Sequence, residues 1–395
     1  MGWTRKAVFL LAGLAVIACG QGVRPVAQSS PIASPMSTPS QQPDPTPAPM
    51  QDGITAWVTC PGKSGAVMAV VAGAIVYDVA DPLRPRLVCR SANTVIHLLD
   101  GNAIAYTAVV AGHVVILRRD LTSRVESRIA QLRLEPHPYY YGGVGWTWDG
   151  SLEVYSTSAA PRADGRSLVS MHLLSNGNDH VLYTIDAGPG GLEGRWGPRG
   201  ILAFSPDRAY LAISDFPFYV YGENVRIFSV ADQQQKFVIK GTSTGGTWIA
   251  NDRFVWASGS LMQWTPSAGA ALLRSEYWYG VTGSSDGAWL AGTFFTRLGA
   301  DSYDNTKPQG LVVAVGGGRT FQTTGLVSSP GFVTPTVVWY AQEAPSANGG
   351  LAGDTWPTGV IRAFDIASGS DQTVNFRAGE APNDELPLLC CAPRG

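Results

Sequence analysis

The sequence predicts an all-β protein built from one short unit repeated around a ring, and two patterns carry that expectation. After Gly53 there is almost no helical periodicity; β-branched and aromatic runs alternate with turns of Gly, Asp, Asn and Pro. One such run then recurs seven times, as 74–79, 114–121, 167–173, 225–230, 261–264, 310–315 and 360–366. Sharing residues 54–395 among seven copies gives about 49 residues each, close to the roughly 40 to 50 of a four-stranded propeller blade. The expected architecture is a β-propeller of seven four-stranded blades. A six- or eight-bladed ring, or a two-sheet sandwich with insertions, is the alternative.

Composition supports a large core and excludes other classes. Of 395 residues 45% are hydrophobic, which rules out global disorder. The 28 Lys and Arg nearly balance the 30 Asp and Glu, so there is no electrostatic footprint for nucleic acid.

The first element, residues 1–18, has the form of an export signal. Arg5 and Lys6 precede an apolar run from Ala7 to Ala18, the length of a secretory h-region and short for a membrane span. It ends Val16-Ile17-Ala18-Cys19-Gly20, which resembles a bacterial lipobox. That resemblance implies cleavage before Cys19, diacylglycerol on its sulfur, and a membrane or envelope location outside the cytoplasm. An ordinary cleaved signal is the plainer reading. Residues 19–53 carry prolines at 25, 31, 35, 39, 43, 45, 47 and 49 among Ser, Thr, Gln and Ala. Such a stretch cannot bury enough surface to offset its ordering entropy, and its prolines favour an extended, semi-stiff spacer. A proline-rich ligand for SH3-like domains is disfavoured by the export signal.

The third element, 54–377, is the propeller, and 378–395 is a tail. Apart from Cys19, four cysteines remain: Cys60, Cys89, Cys390 and Cys391. An even count outside the cytoplasm suggests disulfides, with buried free thiols as the alternative. The histidines form no cluster that would suit zinc. Pairing the adjacent Cys390 and Cys391 would make a strained ring. The favoured pairings therefore tie the tail to the first blade.

Within the propeller, Trp146-Thr147-Trp148-Asp149-Gly150, Phe204-Ser205-Pro206-Asp207-Arg208 and Ser284-Ser285-Asp286-Gly287 each lead into an apolar strand. These segments resemble the WD40-like repeat of TolB-type β-propellers, an aromatic and Ser-Pro-Asp-Gly before a hydrophobic strand. Arg208 stands where Gly is usual, and Asn251-Asp252-Arg253 is a degenerate copy. The resemblance covers residues 54–377, with clear motifs in three repeats, and implies a ring of stacked blades with protected edges.

Catalytic patterns are weak. Gly283-Ser284-Ser285-Asp286-Gly287 matches G-x-S-x-G, but a strand follows where a nucleophile elbow needs a helix. Prolyl-oligopeptidase relatives carry propellers too, beside a hydrolase domain far longer than 378–395. Asp149, Asp207, Asp252 and Asp286 occupy equivalent turns and are expected to close them through backbone hydrogen bonds. Asp301-Ser302-Tyr303-Asp304-Asn305 lacks the Gly and distal Glu of a calcium loop. Ser243 to Trp248 lacks the Asp of a sialidase Asp box. Gly316-Gly317-Gly318 lacks the Lys and helix of a phosphate loop and reads as a hairpin turn. No catalytic, metal or cofactor site is expected.

Two function classes remain: a binding module for a protein, peptide or glycan, and a propeller enzyme (lyase, glycosidase or lactonase type) with its site in the central channel. In a blade ordered A to D outward from the axis, the Asp turns join A to B. The B–C loops and D–A connections then lie on the opposite face. Tyr139, Tyr140, Tyr141, Tyr277, Trp278 and Tyr279 are expected in D–A connections. Phe216, Phe218, Tyr219, Tyr221, Phe295, Tyr303 and Trp356 are expected in B–C loops. Such aromatics suit ligand contact on a rigid scaffold, or else pack their own loops.

Overall fold

The computed structural model describes residues 54–390, apart from 132–144, 147–151, 190–201, 215–223, 241–245, 296–308, 346–354, 383–388 and shorter gaps. Contacts divide the chain into Met1–Ala48 and Pro49–Gly395. Cys19, Cys391 and the spacer lie outside the described residues.

Every regular element described is a strand. The first nine are β1 (Ile54–Thr55), β2 (Val58–Thr59), β3 (Met68–Val71), β4 (Ile75–Asp78), β5 (Arg86–Ser91), β6 (His97–Leu99), β7 (Ala103–Val110), β8 (His113–Asp120) and β9 (Glu126–Gln131). Next come β10 (Gly145–Trp146), β11 (Leu152–Ser158), β12 (Arg166–Ser175), β13 (Asn178–Pro189), β14 (Leu202–Phe204), β15 (Tyr210–Ser214), β16 (Val225–Ser229) and β17 (Gln235–Ile239). A continuous group follows: β18 (Gly246–Ala250), β19 (Arg253–Thr265), β20 (Gly269–Gly283), β21 (Trp289–Phe295), β22 (Gln309–Ala314) and β23 (Thr320–Gln322). The last are β24 (Leu326–Phe332), β25 (Val337–Pro345), β26 (Thr355–Asp365), β27 (Ser370–Thr373) and β28 (Leu389–Cys390).

Three sheets contain four strands in chain order: β10–β13, β14–β17 and β24–β27. A fourth, β6–β9, carries β1 beside β6 on the same edge of β7. The group β18–β23 forms one hydrogen-bonded sheet, and the remaining sheet runs β2-β5-β4-β3-β28. First strands of successive sheets lie side by side: β10 against β14, β14 against β18, β20 against β24, and β24 against β28. The arrangement is that of a β-propeller, with these strands innermost. All seven recurring segments fall in strands, and in each four-strand sheet the segment is the third strand.

The reason those segments stand out is that both of their faces are buried. Along β22, Leu311 and Val313 pack with Ile249 and Val255 on one side, while Val312 packs with Phe332 and Val338 on the other. Along β4, Val76 joins Ile104 and Val115, whereas Ile75 and Tyr77 join Trp339 and Ala363. Successive side chains of a strand point to opposite faces. A strand between two neighbouring sheets therefore reads as a continuous apolar run rather than an alternating one.

The long strand β19 does not run straight. Arg253 Nε donates to Gln263 Oε1 at 2.8 Å, although ten residues of extended chain would span about 33 Å. The reversal falls at Gly259, whose φ of 76° suits a residue without a Cβ. The inner residues of β18 and β19 then pack face to face on Leu290, Leu311 and Val313 of the same sheet.

The ring closes through backbone pairing and side-chain packing. Leu389 and Cys390 pair with Val71 and Val70, so the end of the expected tail supplies the inner strand beside β3. Just before it, Phe376 packs against Tyr77 and Trp339, with centroids 5.4 and 5.6 Å away. Trp339 Nε1 donates to the Pro82 carbonyl at 3.1 Å. Asn375 N donates to the Leu83 carbonyl, Leu87 N to the Glu380 carboxylate, and Arg90 to the carbonyls of Gly379 and Ala381.

The disulfide corrects the expected pairing. Cys60 is bonded to Cys89, not to the tail. Register explains it: Val58 pairs with Ser91 and Thr59 with Arg90, which carries Cys60 opposite Cys89 on the next step. A count of cysteines holds no information about that two-residue strand.

Three buried tyrosines have hydroxyls that reach acceptors. Tyr77 donates to the Glu380 carbonyl, Tyr106 to Glu126, and Tyr340 to Asp371. Burial, reinforced at Tyr106 and Tyr340 by the neighbouring carboxylate, pushes each phenol well above its ordinary 10.0. A raised folded-state pKa stabilises the fold fully below the ordinary value, and that stability is lost as the pH climbs past it. In a titration read at 295 nm, at least three of the 14 tyrosines should ionise only as far-ultraviolet circular dichroism is lost. Reversible ionisation of all of them near pH 10 with the fold intact would contradict this packing.

Candidate functional site

The two faces of the ring are built differently. Antiparallel strands reverse at each connection, so first-to-second and third-to-fourth turns share one face. Those turns are short: 205–209, 284–288 and 333–336 in the first set, and 121–125, 176–177, 230–234, 315–319 and 366–369 in the second. At the opposite face lie the strand ends on either side of 159–165, 215–224, 296–308 and 346–354, which join second to third strands. Between sheets run 132–144 and 190–201.

Carboxylates on the short-turn face hold their own turns. In 205–209 the Ser205 hydroxyl donates to Asp207 Oδ1 at 2.8 Å and accepts from Tyr210 N at 2.9 Å. Asp207 also accepts from Ala209 N at 3.0 Å. The second motif repeats the network: Ser284 donates to Asp286, Trp289 N donates to Ser284 Oγ at 2.9 Å, and Ala288 N donates to Asp286 at 3.0 Å. The serine of the G-x-S-x-G match is Ser285, which is part-exposed within this turn beside Ser284, itself 2% exposed. Gly287 and Arg208 occupy the same left-handed position, at φ 69° and 65°. Arg208 therefore adopts what Gly adopts elsewhere, at a cost of about 1 kcal/mol. Asp252 sits in the corresponding turn between β18 and β19, and Asp149 lies outside the described residues. Asp120 and Asp365 cap third-to-fourth turns in the same manner. Gly316 to Gly318 is a hairpin turn, closed by Ala314 N to the Arg319 carbonyl.

On the long-loop face, the described side chains centre on the passage where β20 leaves one set of partners for another. Its first half pairs with β19 and its second with β21. Tyr277 faces Phe295 across β20 and β21, ring centroids 5.9 Å apart, both partly exposed. Beside them Arg274 Nε lies 3.1 Å from both carboxylate oxygens of Glu276. The guanidinium holds that carboxyl below its ordinary range, against the burial that raises it. Gly259 turns the chain directly beneath the Tyr277 ring. Chemically, this is an aromatic pair next to an ion pair with part-exposed donors and acceptors. Among the described residues no three potential ligands cluster as a metal site.

Of the expected ligand-face residues, the structure brings together Tyr277 and Phe295. Trp278 is a correction: it is 1% exposed, packed with Leu261 and Leu290 and lying against Gly292. The passage expected as a loop is continuous strand, and alternation turns Trp278 inward next to Tyr277. Tyr279 pairs with Thr293 within β20, and Trp356 lies in β26 opposite Ala344, not in the preceding loop. Tyr139, Tyr140, Tyr141, Phe216, Phe218, Tyr219, Tyr221 and Tyr303 lie outside the described residues. Arg274 and Glu276 were not singled out from sequence; their only signal is the two-residue spacing that puts them on one side of a strand.

The turn geometry predicts a contrast between two glycines. At Gly287 a Cβ would lie 2.0 Å from the Ile249 carbonyl oxygen, whereas at Gly177 (φ 77°) it would meet nothing within 4 Å. Gly287→Ala should cost about 2 to 4 kcal/mol and Gly177→Ala about 1 kcal/mol in urea unfolding. Equal losses would show that the motif turn does not press on β18.

Several solved structures are similar in fold. One comes from work on two prolyl endopeptidases, at 12% identity and a TM-score of 0.46, covering 78% of this chain and 47% of that one. The C-terminal WD40 domain of Sif2 matches at 13% identity and a TM-score of 0.42, covering 78% and 75%. A nidogen/laminin complex matches at 14% and 0.36, covering 65% and 92%. The chain spans about half the length of the prolyl endopeptidase. No family model and no curated protein matches its sequence.

Proposed function

We propose that the chain is an exported, lipid-anchored β-propeller of seven four-stranded blades that offers its long-loop face to a protein, peptide or glycan. The observation that carries the binding role is the asymmetry between faces. One is closed by turns of two to seven residues, and the strand ends at the other flank several connections of nine or more residues, beside Tyr277, Phe295, Arg274 and Glu276. Loops on a rigid scaffold are where binding residues concentrate.

The count of seven is supported by the fold-back of β19 at Gly259 and the face-to-face packing within the sheet β18–β23. Read as two blades, that sheet joins the five others in a ring whose inner edge closes at β28. Anchoring at Cys19 is supported by the cationic start, the short apolar run and Val16-Ile17-Ala18-Cys19, followed by a proline-rich spacer. A channel enzyme gains little support from the inner strands. Among their described residues the titratable side chains are His97, Tyr277, Tyr279 and Cys390, with no carboxylate.

Capture from envelope extract tests the face. Arg274→Ala combined with Tyr277→Ala should reduce recovery of the partner at least about tenfold, a loss of roughly 1.4 kcal/mol, with the thermal midpoint nearly unchanged. Arg124→Ala, in a turn of the opposite face, should leave recovery intact. Loss from Arg124→Ala alone would put the partner on the wrong side of the ring. Mass measurement of the mature N-terminus tests the anchor: diacylglyceryl-Cys19 is expected, and a start beyond Cys19 would contradict it.

A further inference from the structure

Residues 54–62 cross between neighbouring sheets before the propeller proper begins. Ile54 and Thr55 pair with Val110 and Val109 of β7, and Val58 and Thr59 pair with Ser91 and Arg90 of β5. Gly62 N then donates to the Val88 carbonyl at 3.2 Å. A Cβ at Gly62 would lie 1.9 Å from the Leu87 carbonyl oxygen, so only glycine lets the segment run this close to β5. Between these contacts sits the Cys60–Cys89 bond. Two-residue ladders are too short to hold an edge segment on their own; the buried Val58 side chain and the covalent bond supply the rest of the attachment.

The two sulfurs sit in different surroundings. Cys89 is 0% exposed in the cluster that contains Val76, Val88 and Ile104, while Cys60 is partly exposed at its rim. A free Cys89 behaves as a small apolar side chain and can remain in that core. Cys60 packs only at the edge of that cluster and keeps part of its surface in solvent. We infer that Cys60–Cys89 is a reducible clasp, whose opening frees the N-terminal segment from the edge of β5 while the ring stays folded.

The chemistry requires a dithiol reductant. Its thiolate attacks the accessible Cys60 sulfur, the S–S bond breaks, and Cys89 leaves as a thiolate that takes a proton. The second thiol of the reductant then displaces Cys60, which is protonated in turn. Two protein thiols and one oxidised reductant result. If the chain is tethered as proposed above, opening the clasp adds residues 54–62 to the spacer, about 30 Å when extended.

Hydrogen exchange read by peptide mass, on the full chain with and without dithiothreitol, tests the clasp without reference to any anchor or partner. After reduction, amides of 54–62 should exchange at least about a hundredfold faster, while 68–78 keep their rates. Alkylation of the reduced protein should modify Cys60 promptly and leave Cys89 protected. Cys60→Ser should reproduce the fast exchange without reductant. Unchanged exchange in 54–62 after complete reduction would overturn the inference. So would equal alkylation of both cysteines, or acceleration of 68–78 together with 54–62.

Discussion

A sheet that is apolar on both faces must be covered on both, and this requirement organises the whole ring. Each sheet lends alternate side chains to two neighbouring cores, as β3 does with Val70 on one side and Val71 on the other. No sheet can be terminal without leaving one face bare. The row of sheets therefore has to meet its own beginning. The meeting is made by Phe376 between Tyr77 and Trp339, by the carbonyls that Arg90 and the neighbouring backbone engage, and by the inner strand β28.

Closure of this kind explains how polar groups are distributed. Tyr77, Tyr106 and Tyr340 bring hydroxyls into buried interfaces, and each finds an acceptor. Arg362 reinforces the last of these through Asp371 at 2.9 Å. The aspartates Asp207 and Asp286 of the motif turns are likewise spent on backbone N–H groups, as their equivalent turn positions implied. The opposite face carries the part-exposed Tyr277, Phe295, Arg274 and Glu276.

Much of the fold was legible in the sequence because the third strands, buried on both sides, appear as apolar runs that recur with the blade. The Ser-x-Asp turns were legible for a similar reason, since Ser205 and Ser284 build the same hydrogen-bonded loop. What could not be read depends on register and on strand continuity. Cys60 meets Cys89 only because β2 pairs with β5 in one particular alignment. Trp278 turns inward only because β20 continues as strand through a passage expected to be a loop. Neither property is encoded in residue type or spacing, so the disulfide and the places of Trp278, Tyr279 and Trp356 came out differently.

Hydrogen exchange on a chain ending at Val374 tests ring closure most directly, because it removes Phe376, Glu380 and β28 and leaves every other strand in place. Closure by the C-terminal segment predicts that amides in β3, β4 and β25 exchange at least about a hundredfold faster than in the full chain. Exchange rates in those three strands equal to those of the full chain would show that the sheets hold together without it.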